Sequence, residues 1–145
     1  LPAAERDELY PGDREDVIDF CLPSHEPRLG KGWYDLEGVF GGKYRWMGAS
    51  ASAHLKRVRP GPQRLRIRGH ALDGLFAQGQ PVRLEAIANG QKVGQMVLDR
   101  SGIFVFETDL PDAEEYALTI NASPTWMSPP DDRVFTVTVG MIRLI

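Results

Sequence analysis

The sequence predicts an all-β fold, an antiparallel β-sandwich of the jelly-roll kind with about eight strands. Three observations carry this. Apolar and polar residues alternate with period two from Ala51 to Ile145, as they do where a sheet buries one face. The 145 residues include 15 glycines and 11 prolines, a supply of turn formers that suits short strands. Asn89-Gly90, set between two alternating runs, supplies the positive φ angles of a type I′ hairpin turn.

Residues 1–31 are polar and charged, and Pro2, Pro11, Pro23 and Pro27 break any longer helix. Val17 to Leu22 reads as one short strand and the remainder as a linker or arm, which puts the domain itself at residues 32–145. Next come two aromatic segments, Gly32-Trp33-Tyr34-Asp35-Leu36-Glu37-Gly38 and Arg45-Trp46-Met47-Gly48. Ala51, Ala53 and Leu55 alternate with Ser52, His54 and Lys56. Leu65, Ile67 and Gly69 alternate with Arg64, Arg66, Arg68 and His70, which gives a strand with one apolar and one basic face. Leu72 to Phe76 fits one turn of helix. The runs 81–88 and 91–98 flank Asn89-Gly90 as a hairpin, and Asp99 to Gly102 turns into a strand from Ile103 to Asp109. Tyr116 to Ala122 alternates again, Pro124 to Arg133 is a loop, and Val134 to Ile145 is one long final strand. There the apolar phase slips at Gly140, which predicts a bulge.

This length fits one domain with a sizeable core. The net charge of −3 gives no electrostatic reason to expect nucleic acid. No apolar run approaches the roughly 20 residues of a membrane-spanning helix. The first residue is Leu, which reads as a piece cut from a longer protein. Cys21 is the single cysteine, so no internal disulfide forms, and a reducing, cytoplasmic setting is expected.

No catalytic residues are expected. There is no nucleophile elbow, and His25, His54 and His70 lack the spacing of metal ligands. Neither a metal nor a cofactor is assigned, although Asp35, Asp131 and Asp132 are oxygen ligands of the type that suits Ca²⁺. Glu37 and Asp132 are the one carboxylate pair weighed for glycoside hydrolysis, and nothing in the sequence makes them converge. The basic column from Arg64 to His70 reads as a solvated face with cross-strand partners such as Glu85. Glu37, Arg45, Asp132 and Arg133 are expected to form a partly buried ion network that joins the first aromatic segment to the last loop. Aromatic side chains are the remaining lead. A ring offers a flat face to the C–H side of a sugar, and nearby polar groups bond the hydroxyls. Trp126 is the first candidate ring, Trp46 the second and Tyr34 a third, while Trp33 is assigned to the core.

The two aromatic segments, the Leu65-Arg66-Ile67-Arg68-Gly69 strand and the Asp131-Asp132-Arg133 loop together resemble an accessory, carbohydrate-binding-like β-sandwich module. Such modules are fused to bacterial glycosyltransferases and methyltransferases of surface-polysaccharide synthesis. The resemblance spans roughly residues 30–145. It departs from the family pattern at Val134-Phe135-Thr136, where a Glu-Leu-Gly-like start of the last strand is usual. The resemblance implies a non-catalytic, glycan-binding accessory domain beside a neighbouring enzyme domain of the same chain. The alternative is a scaffold domain that packs on that neighbour or on a second copy of itself. In the first reading Trp126, Trp46, Tyr34, Arg45, Glu37, Asp132 and Arg133 face the ligand; in the second the same rings are buried.

Overall fold

The computed structural model describes residues 14–39 and 42–145. Among them, ten strands form two antiparallel sheets, as the period-two alternation requires. The first sheet has the order β2 (Trp33–Glu37), β3 (Tyr44–Met47), β10 (Thr138–Leu144), β5 (Arg64–Ala71) and β8 (Gly102–Asp109), and β1 (Val17–Asp19) also pairs with β10. The second has the order β4 (Ser50–Lys56), β9 (Glu115–Ser123), β6 (Val82–Ala88) and β7 (Gln91–Leu98). β1 falls within the short strand read at Val17 to Leu22, while β2 and β3 carry too few alternating residues to stand out in the sequence as separate elements.

Alternate side chains of both sheets meet in one core. Leu65, Ile67, Phe104, Phe106, Ile142 and Leu144 come from the first sheet; Leu55, Leu84, Leu118 and Ile120 come from the second. Removing such surface from water contributes roughly 25 cal/mol per Å² and is what holds the layers together. Residues 14–31 take part: β1 lies against β10, and Ile18 and Phe20 are buried in the core. A 3₁₀ turn over Pro23–Arg28 follows. The rest of the expected arm, residues 1–13, lies outside the described residues.

Local signals read from the sequence recur as geometry. Asn89 (φ 51°) and Gly90 (φ 83°) form the tip between β6 and β7. The register of β10 against β5 shifts between Val139 and Met141, so Gly140 is the bulge, and Val139 and Ile142 both reach the core. Asp73–Phe76 is a single 3₁₀ turn. Two expectations need correction. The final strand begins at Thr138, and Phe135 instead forms an isolated bridge with Trp126. The basic face of β5 is not balanced by Glu85, which belongs to β6 in the other sheet. Arg64 pairs with Asp109 and Arg66 with Glu107, their register partners on β8.

Candidate ligand-binding site

In β3, Met47 points into the core with 0% exposure, so Trp46, one residue earlier, projects from the opposite face. The loop after β9 returns beside it. Trp126 and Phe135 exchange two backbone hydrogen bonds of 2.7 Å, which pin both ends of that loop. Their rings join Trp46 in one cluster. The centroid separations are 6.0 Å for Trp46–Trp126, 5.2 Å for Trp46–Phe135 and 5.8 Å for Trp126–Phe135. These lie within the range of favourable aromatic pairs. Tyr34 of β2 joins through Phe135 at 4.9 Å, and its hydroxyl donates to the Val134 carbonyl at 2.8 Å.

Arg133 lies over this cluster, its guanidinium 5.4 Å from the Tyr34 ring and 5.0 Å from the Phe135 ring, within cation–π range. Asp131 fixes it with a two-pronged ion pair, Arg133 donating from Nε and Nη2 at 2.6–3.0 Å. Those bonds hold the Asp131 carboxyl below its ordinary range and raise the guanidinium of Arg133.

Beside the cluster lies an open cleft of about 390 Å³, lined by Trp126, Met127, Val134, Leu75, Gln78 and Pro124. Gly74 makes room for the Trp126 indole. The Cβ of an alanine there would sit 2.7 Å from Trp126 Nε1. Among the described residues no acceptor takes the Trp126 Nε1 proton. The contrast is Trp33, whose Nε1 donates to the Ser52 carbonyl at 2.8 Å and whose ring meets Phe20 edge-on at 5.5 Å. Trp33 is thus a packing residue, whereas Trp126 keeps a ring and a donor available at a cleft.

The structure therefore assembles Trp126, Trp46, Tyr34 and Arg133 but does not form the expected ion network. Leu36 pairs with Arg45, and Glu37 with Tyr44. Residues directly opposite share a face, so Glu37 and Arg45 point to opposite sides of the sheet. Arg45 instead donates to the Tyr34 carbonyl at 2.9 Å and to the ring of buried His25 at 3.1 Å, with Glu26 3.7 Å away. Its role at the site is to fix the backbone under Tyr34. Glu37 and Asp132 are exposed, and among the described residues neither pairs with an arginine. Asp131 is occupied by Arg133, and no group of three or more His, Cys, Asp or Glu among the described residues is placed to hold a metal ion. Two members of the site escaped the sequence reading. Phe135 looked like an inward residue of a long strand, and Asp131 was indistinguishable from Asp132. The one available signal was the Pro-bounded loop ending in Asp-Asp-Arg before an aromatic.

No family model matches the chain, and no curated protein matches it in sequence. Solved structures do. A family GH115 4-O-methyl-α-glucuronidase with specificity for decorated arabinogalactans matches with a TM-score of 0.52 at 12% identity, over 92% of this chain and 18% of that one. The chain thus spans less than a fifth of that enzyme's length. The CBM36-1 domain of a multidomain xylanase from the hindgut metagenome of Trinervitermes trinervoides matches with a TM-score of 0.52 at 10% identity, over 89% of this chain and 94% of that one. A CBM36 carbohydrate-binding module in complex with calcium and xylotriose matches with a TM-score of 0.50 at 13% identity, over 81% and 92%. What is shared is the fold. This chain has the β-sandwich architecture of those carbohydrate-binding modules.

Proposed function

We propose that this chain is a non-catalytic glycan-binding domain, an accessory to a larger enzyme, and that polysaccharide synthesis is the work of that enzyme. The observation that carries the reading is Trp126. Its ring is half-buried against Trp46 and Phe135, borders an open cleft, and among the described residues its indole N–H has no protein acceptor. A stacked, pre-positioned ring costs little entropy to use. Support also comes from the fold shared with modules that include one solved with xylotriose. Packing on a neighbouring domain is a second reading, favoured by Ile103 at 80% exposure on edge strand β8.

The test is a titration with neutral and acidic oligosaccharides, xylotriose among them, followed by tryptophan fluorescence. Binding should be weak, micromolar to millimolar. Trp126→Ala should lower affinity at least about tenfold, equivalent to about 1.4 kcal/mol. A response unchanged in Trp126→Ala moves the site elsewhere. Silence across the whole glycan set favours the docking reading.

A further inference from the structure

The Trp126 cleft does not end at the aromatic cluster. Pro124 in its wall is also a wall of a second depression of about 300 Å³, lined by Gln80, Pro81, Arg83 and Ser123. Arg83 and Ser123 in turn border a third of about 280 Å³, which reaches Glu85, Gln95 and Asn121. We propose that the three are one groove, and that the ligand is a hydroxyl-rich linear chain of several sugar units. It would run from Trp126 past Ser123-Pro124 onto the outer face of β9, β6 and β7. This extends the glycan-binding reading and rests on it.

Strand register explains why the far end has this chemistry. Arg83 is flanked by Ser123 on one side and Val97 on the other; Glu85 is flanked by Asn121 and Gln95. Residues opposite one another share a face, and so do residues two apart on a strand, so both rows project from the same surface. Neighbouring strands lie about 4.8 Å apart, and successive outward residues about 6.6 Å apart along a strand. The result is a grid of hydrogen-bonding groups beside the aromatic end. The grid is fixed in place. Asn121 donates to Glu85 Oε1 at 3.0 Å, and Lys92 donates to Gln95 Oε1 at 2.7 Å with Glu85 Oε2 3.4 Å away. These bonds lower the Glu85 pKa, the Asn121 bond first, so Glu85 stays a carboxylate acceptor.

The mixture selects the ligand class. Ser123, Arg83, Asn121, Glu85 and Gln95 offer donors and acceptors side by side, and hydroxyls, which both donate and accept, can satisfy either. The Glu85 carboxylate is offset by Lys92, and Val97 and Met96 add limited apolar area beside the polar rows. Among the described residues the Arg83 guanidinium has no protein partner, which leaves it free to donate where the groove turns from the cleft to the sheet. An end-on monosaccharide would use only the Trp126 cleft. A chain uses all three depressions.

The experiment is calorimetric titration of the protein with neutral xylo- and cello-oligosaccharides, from disaccharide to hexasaccharide. Affinity should rise with length. Asn121→Ala and Gln95→Ala should weaken hexasaccharide binding about fivefold to tenfold and disaccharide binding much less, while Trp126→Ala weakens every length. Both far-end residues lie on the sheet surface, and an unchanged unfolding midpoint would confirm intact variants. Binding that depends on Trp126 but is indifferent to length, or a far-end loss equal at all lengths, overturns the extended groove and leaves the glycan-binding reading standing. No binding by any member overturns the extended groove, and the titration with acidic oligosaccharides then decides whether the glycan-binding reading stands.

Discussion

Asp131 and Asp132 are adjacent, chemically identical, and opposite in consequence. Asp131 turns in and grips Arg133, which in turn covers Tyr34 and Phe135; Asp132 points to solvent. Because the bonds from Arg133 depress the Asp131 carboxyl below its ordinary 3.8, the clamp has a definite pH window. A carboxyl with a lowered folded-state pKa contributes fully above its unfolded value and loses that contribution as pH falls through the folded one. The expected outcome is that side-chain NMR shifts of Arg133 and Tyr34 stay constant near neutral pH and titrate in acid with a midpoint below 3.8. A transition of Asp131 centred above 3.8 would contradict the grip. Asp131→Asn should shift the same resonances at neutral pH, and Asp132→Asn should not. Sequence showed that this loop held charge near aromatics. It could not show which carboxylate turns in, since that depends on a backbone course fixed by the Trp126–Phe135 bridge.

At the scale of elements, legibility followed the range of the signal. The Asn89-Gly90 hairpin and the Gly140 bulge are encoded within a few residues, and both appear as read. The Glu37–Arg45 pairing failed for the complementary reason. Between β2 and β3 the register shifts between Trp33 and Leu36, and that irregularity decides which side chains share a face. Nothing in the local composition announces it. Gly69 shows how tightly the central ladder is built. An added Cβ would lie 2.2 Å from the Thr138 carbonyl oxygen and 2.6 Å from the Phe104 ring. Backbone cannot yield as a flexible side chain can. Gly69→Ala should therefore destabilise the protein by about 1–3 kcal/mol, read as a lower urea midpoint with little change in slope. A midpoint equal to that of the parent would mean that β5 and β10 separate at little cost.

For the molecule as a whole, alternation sufficed for the fold class, while the partition of strands between sheets did not follow from it. Glu85 looked like a partner for the β5 arginines because both strands have outward charges; only long-range topology puts them in different layers. The same limit hid the contribution of residues 14–31, whose charge suggests solvent but whose Ile18 and Phe20 are fully enclosed. Phe20→Ala should cost about 3–5 kcal/mol, measured by chemical denaturation, the scale of a core ring and far above that of an appended tail. A loss below about 0.5 kcal/mol would show that this stretch is dispensable. β10 adds an asymmetry in chain order. It pairs with β5 on one side and, on the other, with β3 along its first half and β1 along its second. Every partner precedes it in the chain. The second sheet, β4, β6, β7 and β9, contains no strand that comes after β10. Without β10 the first sheet is three disconnected pieces: β1, the β2–β3 pair and the β5–β8 pair. The seven residues of β10, later in sequence than every strand they pair with, are the ones that turn those fragments into a layer.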